Sequence, residues 1–301
     1  MEPLAAIILV NYNGEKDTIE CLESLSHVAY KNFFTIVVDN ASSEHSVEVL
    51  RKCQGKYSFE LYESENNMGF SAGNNIGIRT ALAKGAEFVI LLNNDTIVEP
   101  DFLTKLIRVF QADERCGLST GTIYYESNRR KIWYAGGIFN SGNFKTVMRG
   151  YGKEDYSFPS APECISFASG CCMCIKAEAV QSIGYLDETF FMYEEDTEFC
   201  FRLLANGWKI YYEPRAVIYH KVSASTGCSE KASPLTQYYM VRNRYKFIRA
   251  RAEGLNKVRA YFYSFAMYSF YCLKGYMDWK YVFLGLWDFS KGIQGKSDRK
   301  F

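Results

Sequence analysis

The apolar run Phe88-Val89-Ile90-Leu91-Leu92 stops abruptly at Asn93-Asn94-Asp95, and no other stretch constrains the fold so tightly. A short unbroken run of this kind suits a strand buried on both faces, as in a parallel sheet covered by helices. Open α/β sheets bind ligands at the carboxyl ends of such strands, where Asp95 then sits. Carboxylate and amide oxygens at that place suit a hard divalent cation such as Mg²⁺ or Mn²⁺, which in turn neutralises phosphate. A polar turn, with Asp95 or Thr96 capping the next segment, is the simpler reading of the same residues. The rest of the chain favours the first.

The first half alternates strand and helix signals. Strands are predicted at 5–10, 33–38, 59–62 and 88–92, and helices at 17–25, 46–53 and 69–84. In the first of these helices Ile19, Leu22 and Leu25 fall on one face. This order implies right-handed crossovers and an α/β fold: a Rossmann-like, mostly parallel central sheet with helices on both faces. Three of the predicted strands end in polar residues, at Asn11-Tyr12-Asn13-Gly14, Asp39-Asn40 and Asn93-Asn94-Asp95. Their tips converge along one edge, where a nucleotide lies in such folds.

From Gly117 to about Ser166 the alternation gives way to short strands and loops rich in Gly, Tyr and Ser, suited to shaping an acceptor pocket. Trp133-Tyr134-Ala135-Gly136-Gly137 is typical of that region. Helices at 177–183 and 196–206 come next, with strands at 208–212 and 216–219. Beyond Pro234 two amphipathic helices are predicted, at 235–252 and 257–273. The chain thus divides into a catalytic domain over 1–225 and a C-terminal helical extension over 226–301. Within the first, the nucleotide-binding part covers about 1–116 and the acceptor-binding part about 117–225.

A length of 301 residues with 48% hydrophobic and 23% charged residues permits an ordinary core. A net charge of +1 gives no reason to expect nucleic acid as a partner. Ten cysteines are present, but Cys171, Cys172 and Cys174 crowd one segment with no partner pair at zinc-like spacing. They read as small buried hydrophobes in a reducing compartment. The run at 5–10 is too short for a secretory signal and lacks a basic flank, so a cytoplasmic location is expected.

Tyr193-Glu194-Glu195-Asp196-Thr197-Glu198 places four carboxylates in five residues. Asp196 as a helix N-cap accounts for one or two of them. The rest repel one another unless solvated, hydrogen-bonded or near a cation. A carboxylate facing a cleft accepts the proton of an attacking hydroxyl. His220 comes directly after the strand predicted at 216–219, and its imidazole suits a first-row metal. His27 and His45 lie in polar helix flanks and receive no role.

The ordered set Val10–Gly14, Val37–Ser42, Asn67–Asn75, Leu91–Asp95, Gly184–Glu188, Glu195-Asp196 and His220 resembles family 2 of the inverting, nucleotide-sugar-dependent glycosyltransferases. Its rhamnosyltransferase-like branch is the nearest in flavour. The resemblance covers roughly residues 4–225 and implies a GT-A fold. It further implies transfer of a sugar, rhamnose or another hexose, from a nucleoside-diphosphate sugar to a hydroxyl of a glycan or lipid-linked acceptor in cell-surface polysaccharide synthesis. In that frame Asp39 bonds the nucleobase, which Asn11, Tyr12 and Asn13 line, while Asn40, Gly69, Asn74 and Asn94 complete the donor site. Asp95 binds a divalent cation, Mg²⁺ or Mn²⁺, on the diphosphate, with His220 as second ligand. Asp196 is the general base, and Glu195 beside it is the alternative.

Two departures stand out. The metal motif of the family often carries two aspartates, whereas Asn93-Asn94-Asp95 holds one carboxylate. Thr197-Glu198 stands where a hydrophobic residue and an aspartate are usual. The competing classes are a sugar nucleotidyltransferase and a non-catalytic sugar-nucleotide-binding protein. The first calls for a glycine-rich phosphate loop with a basic residue after the first strand, and Asn11-Tyr12-Asn13-Gly14 is not one. The aromatic stretch at 261–271 is too short to span a bilayer. With Arg244, Lys246, Arg249, Arg251, Lys257 and Arg259 before it and Lys274 and Lys280 after it, the stretch suits peripheral attachment to the inner face of an anionic membrane. Packing on the catalytic domain, or on a second subunit of a homodimer, fits the same residues equally.

Overall fold

The computed structural model describes residues 2–43, 45–154, 156–222 and 231–301. The chain opens with β1 (Ala5–Asn11), α1 (Glu15–Ser26), β2 (Phe33–Asp39), α2 (Ser46–Cys53), β3 (Glu60–Glu63), α3 (Gly69–Ala83) and β4 (Phe88–Leu92). Its four strands pair in parallel in the order β3-β2-β1-β4. Every residue of β4 is buried, as its unbroken apolar run requires. This is the alternation expected from the sequence, with boundaries shifted by one or two residues.

After β5 (Thr96–Val98) and α4 (Phe102–Ala112) come β6 (Cys116–Tyr125), β7 (Asn128–Tyr134), β8 (Gly137–Asn140), β9 (Lys145–Met148), β10 (Glu163–Ile165) and β11 (Cys172–Lys176). β11 enters antiparallel between β4 and β6. Then come α5 (Ala177–Ile183), α6 (Glu195–Ala205) and β12 (Lys209–His220), with β12 parallel to β6. The central sheet therefore runs β10-β12-β6-β11-β4-β1-β2-β3, while β8 and β9 form a separate hairpin.

Several expectations need correction. The region after Gly117 is not only short strands, because β6 is ten residues long and buried over its first eight. The strands expected at 208–212 and 216–219 are one strand, β12, with a register shift between Glu213 and Val217. Pro214 lies in that shift and has no N–H to give the ladder, so the irregularity absorbs it. Finally, the C-terminal region holds α7 (Pro234–Arg251), α8 (Gly254–Leu273) and a further helix, α9 (Trp279–Ser290), that the sequence pattern does not predict. Gly285 obscures α9 as a pattern. It is there for contact, since a Cβ at that position would meet the Tyr238 carbonyl oxygen of α7 at 2.9 Å.

α7 is not amphipathic either. It begins with Pro234 behind a capping Ser233, whose hydroxyl accepts from the Thr236 N–H at 3.2 Å. From there to Ile248 it is buried at nearly every position, Arg242, Arg244 and Lys246 included. Arg244 and Lys246 therefore face protein and not a membrane surface. Arg244 donates to the Phe144 carbonyl and, at 2.8 Å, to that of Asn143, while Lys246 donates to the Thr189 hydroxyl.

On the other side of the sheet edge, α3 lies against β1 through glycine. A Cβ on Gly73 would sit 3.0 Å from Val10 Cγ1, and one on Gly77 would sit 2.4 Å from Ile8 Cγ2. Gly77→Ala is expected to destabilise the chain by about 1–3 kcal/mol through overpacking. Combining it with Ile8→Ala should cost less than the sum of the two, measured as urea midpoints in a double-mutant cycle. An unchanged midpoint for Gly77→Ala would remove this contact from the account.

Candidate functional site

A cleft of about 620 Å³ opens where β1, β2 and β4 end, and its far wall is built from β7, β9 and the turn before α6. The in-register parallel pairing sets Asn11 beside Asp39 at those ends. Asn11 is fully buried and donates to Asp39 Oδ2 at 2.7 Å, while its own Oδ1 accepts from Thr18 at 2.9 Å. Asp39 also accepts from the Ser42 N–H (2.9 Å) and hydroxyl (2.7 Å). Both residues thus lie behind the wall, as the frame that shapes it.

The wall itself presents Tyr12, Asn13, Gly14, Asn40 and Asn74. Tyr12 is 49% exposed and offers its ring as a flat surface on which a planar or cyclic group can stack. Asn13 adopts a left-handed backbone (φ 51°), and its side-chain oxygen accepts from the Ser43 N–H at 2.8 Å. Asn40 fastens the start of α3: its Nδ2 donates to the Gly69 carbonyl at 3.0 Å and its Oδ1 accepts from Met68 at 3.1 Å. Asn74 donates to the Phe70 carbonyl at 2.9 Å.

At the cleft floor the sheet brings together two residues far apart in sequence. β12 pairs antiparallel with β5 so that His220 lies opposite Thr96. That register places His220 Nε2 at 3.1 Å from Asp95 Oδ1. Asn93 Nδ2 approaches the same nitrogen at 3.4 Å, and the Trp133 ring meets the imidazole edge-on at 4.7 Å. His220 Nδ1 is buried with no partner in the described structure. Asn94 donates to Thr18 at 2.9 Å, tying this floor to α1.

Facing them is the acidic turn. Tyr193 and Glu194 both have left-handed backbones (φ 68° and 72°), and α6 starts at Glu195. Asp196 is therefore not the N-cap suggested by the sequence; Glu194 occupies that position and makes no side-chain cap bond. Asp196 is held from two sides instead, accepting from the Thr197 N–H at 2.7 Å and the Gly170 N–H at 3.1 Å. Glu198 points away and is neutralised by Arg202 (2.8 Å) and Arg251 (2.5 Å). Arg244 stands 3.8 Å from Glu194. Glu195 Oε2 has no hydrogen-bond partner among the described residues.

These environments separate the acids. Burial pushes the Glu195 carboxyl well above the carboxylate range, and the neighbouring Asp196 charge pushes further. Burial also raises Asp196, but two backbone N–H groups pull it back. Burial lifts Glu194 to about 7 against the pull of Arg244. Of the coupled pair, Asp196 ionises first, and its charge then keeps Glu195 protonated.

Among its described lining residues the cleft has Asp17, Asp95, Glu194, Glu195 and Asp196 but neither Lys nor Arg. Asp17 is already paired with Lys221 at 2.8 Å. The remaining lining is largely apolar, with Trp133, Met148, Phe167, Met192 and Met240 on the far side. Cys171 also reaches the cleft, yet burial raises its thiol far above neutrality and pushes Cys172 up to about 12. Neither is a nucleophile.

The structure therefore gathers Tyr12, Asn13, Asn40, Gly69, Asn74, Asn94, Asp95, Glu195, Asp196 and His220 around one cleft, and sets Asn11 and Asp39 behind it. Sequence reasoning missed Gly170 and Asn243. Asn243 of α7 donates to the carbonyls of Met192 (2.7 Å) and Tyr193 (3.2 Å), which fixes the left-handed turn. One polar residue inside a helix carries no signal for that task.

Residues 6–184 match the family model for glycosyl transferase family 2. The low-salt glycan biosynthesis hexosyltransferase Agl10 of Haloferax volcanii is 32% identical over 200 residues, 65% of this chain and 60% of that protein. The dTDP-rhamnosyl transferase RfbF of Shigella flexneri is 24% identical over 80% of this chain and 79% of its own length. The chain thus spans under two thirds of the Haloferax relative. The mannosyltransferase PcManGT of Pyrobaculum calidifontis, solved with GDP-Man and Mn²⁺, superposes with a TM-score of 0.61 at 14% identity, covering 87% of this chain and 70% of that one. The architecture is the GT-A fold.

Asn243→Ala strands two carbonyls of the acidic turn and is expected to cost about 1–3 kcal/mol in urea denaturation. Asn243→Asp, which sets carboxylate oxygens against those carbonyls, should cost more. Wild-type stability in both would show that the turn holds itself.

Proposed function

Because the chain belongs to glycosyl transferase family 2, we propose that it moves a hexosyl group, such as rhamnosyl, from a nucleoside-diphosphate sugar to a hydroxyl of a glycan or lipid-linked acceptor, with inversion, in polysaccharide synthesis. The names of the relatives fit such a reaction, one being a hexosyltransferase and one a rhamnosyl transferase. The observation that carries the reading is the face-to-face placement, in one cleft, of the Asp95–His220 pair and Asp196.

Electrostatics supports a cation in this reading. A diphosphate entering a cleft lined by carboxylates meets repulsion on the order of several kcal/mol per charge pair at close range. None of the described lining residues is a Lys or Arg that could offset it. Asp95 and His220 offer one hard oxygen and one imidazole nitrogen within 3.1 Å of each other, a donor pair that fits Mn²⁺ or Mg²⁺. Phosphate oxygens and water would complete the coordination. When bound, such an ion stabilises the leaving diphosphate as a Lewis acid.

The chain's own groups do the remainder. Tyr12, Asn13 and Asn40 hold the nucleoside side, over the frame of Asn11 and Asp39. Gly69 and Asn74 bring the start of α3 to the donor, and Asn94 borders the diphosphate. The apolar far wall around Trp133 and Met192 excludes water from the acceptor hydroxyl. Asp196, held by the Gly170 and Thr197 N–H groups, takes the proton of that hydroxyl as it attacks the anomeric carbon. Glu195 stays protonated and does not compete for it. The donor sugar leaves its diphosphate from the opposite face, so no covalent intermediate with the chain is required.

These roles can be tested separately. In an assay of nucleoside diphosphate release across a panel of sugar nucleotides, Asp196→Asn should keep donor binding and lose about 10²–10⁴ in turnover. The wild-type kcat/KM should fall with decreasing pH through a midpoint above the ordinary aspartate value of about 3.9, because only the ionised base accepts a proton and burial raises its pKa. A limb at or below that value, or the same loss in Glu195→Gln alone, would move the base off Asp196. For the cation, Asp95→Ala should abolish both most of the transfer and the Mn²⁺-dependent thermal stabilisation by nucleoside diphosphate, with His220→Ala partial in both. Full activity of chelator-treated Asp95→Ala enzyme would sink the metal assignment.

A further inference from the structure

α8 carries two stripes. The inner one, Ala260, Ser264, Tyr268 and Cys272, repeats every four residues and is buried. On a soluble surface helix the opposite face is polar. Here it is apolar: Phe262, Phe265 and Leu273 are 73%, 58% and 78% exposed. α9 repeats the pattern, with Trp279, Phe283 and Trp287 turned outward at four-residue spacing. The two helices are joined by 274–278, so Phe270, Leu273, Tyr276, Trp279 and Phe283 gather at the tip of one helical hairpin. Scattered exposed hydrophobes need no explanation, but a run along both arms of a hairpin marks a contact surface.

Charge identifies the partner. Between Gly254 and Lys291 the only carboxylates are Asp278 and Asp288. Asp278 is paired with Lys231 at 2.5 Å, and Asp288 is buried against Arg299 and Tyr238. The outward charge of the hairpin is therefore cationic. Lys274 lies 5.8 Å from the Phe270 ring centre, Lys280 lies 5.2 Å from that of Tyr281, and Lys291 lies 4.9 Å from that of Trp287. Each ammonium thus lies over an aromatic ring, so positive charge and apolar surface are presented side by side. A two-fold dimer through the same face would bring these lysines together without a carboxylate to meet them. No helix among the described residues is long and apolar enough to cross a membrane.

We infer that the tip of the α8–α9 hairpin is the surface by which this protein sits on an anionic lipid bilayer, its aromatic rings at headgroup depth and its lysines on the phosphates. This differs from attachment through the whole basic run before residue 261, since Arg244 and Lys246 are buried. It does not depend on which sugar is transferred.

The test uses the full chain and vesicles of phosphatidylcholine with or without phosphatidylglycerol, read by flotation and by tryptophan fluorescence. The chain should float with the anionic vesicles at low salt, with a blue shift from Trp279 and Trp287, and should be released as salt screens the lysines. Trp279→Ser with Phe283→Ser should abolish flotation, and Lys274→Glu with Lys280→Glu should reduce it on the order of tenfold or more. Circular dichroism and unchanged melting would show that the variants remain folded. Three outcomes would overturn the inference: no flotation of the folded chain at low salt, equal binding to both vesicle types, or a concentration-dependent dimer that the serine pair dissolves.

Discussion

A cleft with five carboxylates and no described cationic side chain in its lining is electrostatically incomplete, and much of the structure is arranged around that fact. Three of the five are sorted by local means. Asp17 is paired with Lys221, Glu194 faces Arg244, and Glu195, whose Oε2 has no described hydrogen-bond partner, sits in surroundings that keep its proton on. Asp196, half-buried, is equipped with two N–H donors that favour its anion. Asp95 is set against an imidazole. The distribution leaves Asp95 beside His220 and Asp196 beside two backbone N–H groups, both lining the same cleft.

Holding such a turn in place takes more than the turn itself. Consecutive left-handed residues at Tyr193 and Glu194 are unfavourable for side chains of their size, and the strain is offset by hydrogen bonds from outside the turn. Those bonds come from α7, a helix remote in sequence. Asn243 reaches the Met192 and Tyr193 carbonyls, while Arg251, also of α7, removes Glu198 from the cleft. This accounts for the burial of so polar a helix: its cations and amides are consumed by the loops beneath it. Its low amphipathicity is a consequence of use on every face.

The parallel half of the sheet was legible because its strands carry their burial in sequence, as unbroken apolar runs closed by Asn or Asp. The same regularity exposed Asp95 and the polar tips of β1 and β2, and the acid cluster near 195 announced itself by crowding. The hidden parts depend on contacts that no local window holds. β12 reads as two strands because Pro214 interrupts the pattern, and only pairing with β6 on both sides of the shift joins them. α9 reads poorly because Gly285 serves a close approach to α7. Asp196 looks like a cap until the turn before it is seen to be left-handed, which shifts the helix start to Glu195. Asn11 and Asp39 bond to each other and further to Thr18 and Ser42, links that only the parallel register of β1 and β2 brings together.

The start of α3 and the acidic turn are not independent walls. The Phe70 N–H donates to the Phe191 carbonyl at 2.8 Å, and Gly69 lies so close that a Cβ there would come within 2.2 Å of the same oxygen. Asn40 grips this helix start from the donor edge, and Asn243 grips the turn from α7. In mechanical terms the two sides are riveted at one peptide. Neither the helix start nor the acidic turn can shift without straining the other, because Gly69 leaves no room between them.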